Sequence, residues 1–307
     1  MIEQLKLDFS SREVSSRVNP LALFAKLNGA TSPERAMKDL CRRARLYCHM
    51  HEPPFGLMNV TRMLKVEVER SKHLPAKIRG RLERRATGYV IVVNEYLSWR
   101  RLRSTVAHEL GHVLLYRSLS RHPEAISALR EPEQWAHVEA LCDLAAAELL
   151  MPLDDLWGFA FPDILSVYNS ELHMSLYDRY LVSYTALFKR HLDLGVDLVL
   201  LWRAIPSTML TWRISSAYHK GNYFIPPGMS ATKHLFPNIL DGINLDESGW
   251  RITAPEMQFT FQGRVLEGEC AIVDSTPRRA QPLFEGFRVA DEPNLSLGAV
   301  MLMRFKS

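Results

Sequence analysis

The stretch from Ser104 to Leu115 constrains the fold and chemistry of this chain more than any other. It has the composition of a helix with one polar edge on an otherwise apolar surface. His108 and His112 are four residues apart, so both imidazoles project from the same helical face. Two imidazoles at this spacing can bind one zinc ion, and Glu109 would be the general base for the water that the metal activates. The alternative is an amphipathic helix with two solvated histidines.

A second stretch, from Glu139 to Pro152, supplies a third candidate ligand. Alanine and leucine dominate it and neither glycine nor proline interrupts it, so we predict a largely buried helix that stops at Pro152. Glu139 and Asp143 share a face of that helix. A catalytic zinc site takes three protein ligands and leaves a fourth position for water. His108, His112 and Glu139 would complete this set. Asp143 could then accept a hydrogen bond from the outer nitrogen of a ligand histidine. The alternative is a helix start whose acidic residues favour the dipole.

Four motifs, in this order and spacing, resemble the ImmA/IrrE-type zinc metallopeptidases over roughly residues 35–195. They are the strand Gly88–Asn94, the basic turn Arg100–Arg103, the segment Ala107–His112 and the helix that begins at Glu139 and ends in Leu-Leu-Met-Pro. The Leu-Leu-Met-Pro ending is far more specific than the H-E-x-x-H pattern. The chain departs from its relatives at two positions. Relatives usually have phenylalanine at the position of Ser104, and many have it at the position of Ala145.

The resemblance implies that His108, His112 and Glu139 bind zinc (Zn2+) and that Glu109 is catalytic. It also implies an endopeptidase with a protein substrate, commonly a helix-turn-helix repressor cleaved at one site during a stress or mobile-element response. In radiation-response members of the family, the region after the peptidase core is a GAF-like sensor domain.

The predicted fold class is α+β, divided along the 307 residues as follows. Residues 1–31 are expected to be weakly structured, and residues 32–152 to form a mainly helical peptidase core with a small sheet. Residues 153–194 form a helix-turn-helix-like segment that either enters a DNA groove or covers the core. Residues 195–307 form a mixed, mainly β regulatory domain with period-2 strands.

Individual elements follow from local signals. Ser32 and Pro33 open a helix that is expected to run to about His51. Strands are predicted at residues 65–69 and 88–94, and a helix at residues 181–192 with Ser183 as its cap. Breaks are expected at His122-Pro123 and at Glu131-Pro132-Glu133.

A cytoplasmic location without a membrane partner is expected. The sequence has no run of about 18 apolar residues. Its N-terminal residues carry acids where a signal peptide needs a basic start. The cysteines are irregularly spaced, as for free thiols in a reducing compartment.

Basic residues cluster between the predicted strands and before the histidine helix. They are Lys72, Lys77, Arg79, Arg81, Arg84, Arg85, Arg100, Arg101 and Arg103. Such a patch could attract nucleic acid or an acidic protein surface. The alternative is a solvated loop and a strand edge protected by charge.

Three other candidates carry less weight. Cys41 and Cys48 share a helix face, but the nearby histidines point elsewhere, which argues against a second metal site. His137 faces nearly opposite to Glu139 and is interpreted as a capping or surface residue. Tyr116, one turn after His112, is a candidate donor to the negatively charged oxygen that forms during hydrolysis. The alternative function is a non-catalytic DNA- or protein-binding regulator, but the intact Glu109 argues against a pure scaffold.

Overall fold

The computed structural model describes residues 19–160, 164–167, 170–205, 211–219, 251–261, 264–274 and 298–305. The helices in these ranges are α1 (Pro20–Leu27), α2 (Pro33–Tyr47), α3 (Leu57–Met63), α4 (Trp99–Ser118), α5 (Pro123–Ala128), α6 (Pro132–Leu150), α7 (Leu153–Ala160), α8 (Ile164–Val167), α9 (Ser170–Tyr180) and α10 (Tyr184–Asp193). The strands are β1 (Val66–Ser71), β2 (Gly80–Arg85), β3 (Gly88–Asn94), β4 (Leu198–Ile205), β5 (Thr211–His219), β6 (Arg251–Phe261), β7 (Arg264–Asp274) and β8 (Gly298–Phe305). A mainly helical part with a small sheet is followed by further strands, which confirms the α+β class.

The small sheet has the order β1-β3-β2, with β1 parallel and β2 antiparallel to the central strand. Residues 90–94 of β3 are buried, as expected for a strand whose apolar run lies in the middle of a sheet. The strands predicted at 65–69 and 88–94 are confirmed as β1 and β3. No strand was predicted at β2, because Gly-Arg-Leu-Glu-Arg-Arg lacks the apolar alternation that marks a half-buried strand. It is an edge strand, where charged side chains are usual.

Helices α4 and α6 pack closely because Gly111 has no side chain. A Cβ atom at Gly111 would lie 2.9 Å from the Ala145 Cβ and 3.0 Å from the Cys142 Cα. Helix α6 begins at Pro132, directly after non-helical residues 129–131, so the interruption predicted around Glu131 and Pro132 is present. Proline suits the first helical position, where its missing N–H costs nothing. The basic turn predicted at Arg100–Arg103 is wrong, since these residues lie within α4.

Two expectations for the N-terminal part are corrected. The expectation of weak structure for residues 1–31 is wrong at α1, where the Asn19 side chain accepts hydrogen bonds from the first turn. Phe24 is then completely buried in the core, so packing stabilises this short helix. Residues 1–18 lie outside the described ranges. Helix α2 begins as predicted, with Ser32 accepting from the Arg35 N–H. It ends at Tyr47 rather than near His51, because His49 adopts a φ of 54°.

Helix α10 docks onto the end of α6 through buried charges. Its Arg190 is fully buried and donates from Nη2 to Glu148 Oε1 at 2.6 Å and from Nε to the Met151 carbonyl at 2.9 Å. Arg45 of α2 also lies beside Glu148, with Nη1 3.8 Å from Oε2. Removing one member would leave a buried charge without compensation. Helix α10, with Ser183 as its cap as predicted, therefore covers the core in this structure.

The later strands form an antiparallel sheet of order β5-β4-β8-β7-β6 within the described residues. Residues 258–261 lie in β6 and residues 264–272 in β7, and the two strands pair as neighbours. Helix α10 contacts β4 and β5, so this sheet packs against the helical part. The domain limits at 152 and 194 stay predictions.

None of the helices in the described ranges combines the length and apolar character that a membrane crossing requires.

Candidate metal centre

Helices α4 and α6 bring together the two histidines and the glutamate that the sequence singled out. The Nε2 atoms of His108 and His112 each lie 3.4 Å from an oxygen of the Glu139 carboxylate. One potential ligand atom from each of the three residues lies within 4.8 Å of the others. The i, i+4 spacing aligns the histidines on α4, and the contact at Gly111 brings the facing helix close enough for Glu139 to meet them.

Asp143 lies one turn after Glu139 and orients the first histidine. Its Oδ1 accepts a hydrogen bond from His108 Nδ1 at 3.0 Å, which leaves Nε2 pointing at Glu139. Its Oδ2 accepts from Lys189 Nζ of α10, also at 3.0 Å. These hydrogen bonds, first from His108 and then from Lys189, lower the pKa of Asp143 to about 2. The carboxylate is therefore ionised near neutral pH and can fix the ring orientation.

His112 is held by aromatic rings instead of a carboxylate. Tyr116 and Trp135 stack on it, with ring centroids 5.9 Å and 5.8 Å away. Its Nδ1 is buried and has no hydrogen-bond partner among the described residues. Trp135 was not among the site residues predicted from the sequence. The available signal was its spacing, since Trp135 precedes Glu139 by four residues on the same helix and so shares its face.

Glu109 faces the outer edge of β2. Gly80 allows this strand to cross α4 closely, because a Cβ atom there would lie 2.5 Å from Thr105 Cγ2. One helical turn further along α4, the carboxylate of Glu109 makes a hydrogen bond with the backbone of Leu82. Only 7% of Glu109 is exposed. Burial raises the pKa of this carboxyl, although the neighbouring histidines oppose the shift.

The electrostatics of the cluster suit a cation. Burial opposes protonation of His108, but the hydrogen bond to Asp143 and the charges of Glu109, Asp143 and Glu139 raise its pKa overall. Contact with His112 lowers the pKa of Glu139. Two imidazole nitrogens and one carboxylate oxygen are a donor set that zinc and similar transition metals accept. The residues present therefore fit a metal ion.

The two cysteines and His137 lie apart from this cluster. Cys41 is completely buried and its Sγ contacts the Ala145 carbonyl at 3.8 Å, while Cys48 caps the end of α2. Neither cysteine belongs to a group of potential ligands in the described part of the chain. His137 is exposed, as expected, but lies inside α6 and is not a cap. Burial first, and nearby negative groups second, raise the pKa of Tyr116 to about 12, so its phenol keeps its proton.

Comparison with known proteins gives a matching family model and distantly similar solved structures. A family model described as IrrE N-terminal-like domain matches residues 60–191, from α3 to α10. Among curated proteins, no sequence matches this chain. A solved Mycobacterium tuberculosis transcriptional regulator is similar at 12% identity and a TM-score of 0.47, covering 93% of this chain and 80% of that one. A TM-score of this size assigns neither fold nor function to the present protein.

Proposed function

Since residues 60–191 belong to the IrrE N-terminal-like family of metallopeptidases, we propose that this protein is a zinc-dependent endopeptidase. One observation carries the proposal. His108, His112 and Glu139 converge from two helices, and a buried carboxylate that is not part of this group, Glu109, lies beside them. A structural metal site needs no such carboxylate, whereas hydrolysis needs a base next to the metal.

The mechanism follows from the placement of these side chains. Zinc bound by His108, His112 and Glu139 would activate a water molecule and polarise the carbonyl of the scissile peptide bond. Glu109 accepts the proton of the attacking water and delivers it to the leaving amine. Its burial supports this role, because a raised pKa allows the carboxyl group to hold that proton between the two steps. Asp143 keeps His108 in the ligand orientation.

Tyr116 is the proposed hydrogen-bond donor to the carbonyl oxygen of the scissile bond, which becomes negatively charged during hydrolysis. Its ring stacks on His112 and its phenol is protonated near neutral pH. Removal of one donor of this kind costs about 100- to 1000-fold in kcat in well-studied hydrolases.

The proposed substrate is a cytoplasmic helix-turn-helix repressor, cleaved during a stress or mobile-element response. This proposal is supported by the family membership of residues 60–191. The proposed role of residues 195–307 is regulation of when or what the enzyme cleaves, through a GAF-like sensor domain. The sheet formed by β4–β8 and its contact with α10 support a physical connection between that region and the peptidase core.

The test is the Glu109→Gln variant of the full-length protein. It should retain the fold and the bound metal, because Glu109 is not a ligand, but lose peptide-bond cleavage by about 100-fold or more. The measurement compares metal content and cleavage of co-expressed helix-turn-helix repressors from the same host by mass spectrometry. Wild-type cleavage rates in this variant would refute the mechanism. Metal binding without cleavage of any repressor by the wild type would favour the regulator alternative.

A further inference from the structure

The basic residues of the cluster between Lys72 and Arg103 divide into two groups in the structure. The first group already has partners: Lys72 pairs with Glu95, Arg81 with Glu83, Arg85 with Glu69 and Glu83, and Arg100 with Asp178, while Arg103 donates to the Phe55 carbonyl. The second group is Lys77, Arg79, Arg84 and Arg101, here called the basic rim. All four side chains are exposed, and no carboxylate of the described residues lies within ion-pair distance of them.

The basic rim lines the same cleft as the metal cluster. Lys77, Arg79 and Arg84 approach it from β2 and the segment before that strand, and Arg101 approaches from the first turns of α4. Four uncompensated positive charges around one opening give it a positive field, which lowers the free energy of an approaching negative group. The rim therefore faces whatever enters the cleft towards Glu109.

Strand β2, which carries Arg84 and follows Lys77 and Arg79 in the chain, has an outer edge that no described strand covers. Among the described strands only β3 pairs with β2, and the Arg79 carbonyl accepts from the Asn94 N–H. Backbone groups alternate in direction along an antiparallel strand, so those of Gly80, Leu82 and Arg84 point outward. The hydrogen bond between Leu82 and Glu109 agrees with this direction. Such an edge can pair with an extended peptide.

The floor of the cleft favours a peptide over a nucleic acid. Glu109 and Glu139 line it together with the histidines. A DNA backbone carries a negative charge at every nucleotide and would bring phosphates against these carboxylates. An extended peptide can place acidic side chains at the rim and an uncharged peptide bond at the floor.

We propose that the basic rim selects substrate segments with acidic side chains, which pair in extended form with the outer edge of β2. This inference rests on the proposed peptidase function and specifies which sequences the site accepts. The rim residues are specificity determinants and take no part in bond cleavage. Because they are exposed, each contributes modestly and in a salt-dependent manner.

The binding test uses the full-length Glu109→Gln protein with zinc, so that probes are not consumed. Three fluorescein-labelled probes are compared by anisotropy. They are a peptide of about ten residues that alternates Glu with Val, the same peptide with Gln for Glu, and a short DNA duplex. The rim variant is Arg79→Glu with Arg84→Glu. The matched control is Arg42→Glu with Arg62→Glu, which makes the same change in net charge at exposed positions outside the cleft.

The acidic peptide should bind about tenfold more tightly than its Gln counterpart at low salt. This advantage should disappear in the rim variant and persist in the control. Lys77→Gln with Arg101→Gln, which leaves β2 unchanged, should reduce it by several fold. Equal binding of the two peptides would overturn the proposal. Rim-dependent binding of the duplex in preference to the acidic peptide would overturn it in favour of a nucleic-acid interface.

A cleavage test separates this inference from the proposed function. The wild-type protein is incubated with a mixture of cellular peptides, and the products are sequenced by mass spectrometry. Cleavage with Asp and Glu enriched around the cut bond supports both proposals. Cleavage without this enrichment overturns the acidic selectivity alone. Acid-selective binding without any cleavage overturns the peptidase and leaves the rim as a docking surface for acidic segments.

Discussion

Replacing Gly111 by alanine should weaken metal binding without touching a ligand. Gly111 lies where α4 and α6 cross, next to His112 in sequence. The new Cβ would lie 2.9 Å from the Ala145 Cβ and 3.0 Å from the Cys142 Cα. Carbon atoms in contact prefer about 3.5–4.0 Å. The Cys142 Cα is a backbone atom of α6, and the Ala145 Cβ is bonded directly to that backbone. Neither atom can therefore move unless the helix moves.

The two helices must therefore separate by about 0.5–1 Å. Overpacking of this kind costs about 1–3 kcal/mol, and replacing a helical glycine by alanine recovers about 0.5–1 kcal/mol. The free energy of unfolding of the metal-free protein should thus fall by about 0–2.5 kcal/mol. Metal sites tolerate changes of only about 0.2 Å in ligand distance. We expect the affinity for zinc to fall further, by about 10- to 100-fold, as when the groups that orient ligands are disturbed.

The assay is competition for zinc between the purified protein and a chromogenic chelator, together with urea denaturation of the metal-free form. The control is Gly56→Ala, where the nearest atom, Asn59 Nδ2, is 3.7 Å from the added Cβ and φ is −80°. This control should bind zinc like the wild type. If Gly111→Ala also binds zinc with unchanged affinity, the α4–α6 distance does not control the site and the reasoning is wrong.

The remaining predictions concern the third ligand, the aromatic clamp and the C-terminal region. Glu139→Ala should lower zinc occupancy far more than His137→Ala, since only Glu139 faces the histidines; metal analysis showing the reverse ranking would mean a misassigned ligand. Trp135→Ala should lower zinc affinity by up to about tenfold, because His112 loses a stacked ring. Unchanged affinity in chelator competition would mean that this ring does not help to hold His112. A chain of residues 1–194 should bind zinc but alter the rate or stress response of repressor cleavage; identical cleavage by both forms would leave the C-terminal region without a regulatory role.

The cluster of candidate ligands could be predicted from the sequence because it depends on short-range spacing. His108 and His112 lie on one helix, and Glu139 and Asp143 lie on another. Residues four apart share a helix face, so the two members of each pair are neighbours however the helices pack. The expectation that Asp143 accepts a hydrogen bond from a ligand histidine is consistent with its 3.0 Å distance from His108. The long β3 strand was predictable for a similar reason, since its Val-Ile run has few alternatives.

Features that depend on packing between distant segments could not be predicted. Strand β2 has a sequence typical of an exposed loop and becomes a strand only by pairing with β3. Lys189 meets Asp143 only because the buried Arg190 docks α10 onto α6. Similarly, α1 is a short segment whose order depends on burial of Phe24 in a core formed by later residues. In each case, tertiary contacts decide the outcome and local propensity does not.

The most direct test of the metal centre is elemental analysis of the purified full-length protein and its Glu139→Ala and Glu109→Gln variants. The wild type and Glu109→Gln should each contain about one zinc ion per chain, as a site of three protein ligands and one open position requires. Glu139→Ala should contain much less, because one of the three ligands is lost. Equal zinc content in all three proteins, or none in the wild type, would contradict the assignment of His108, His112 and Glu139 as a zinc site.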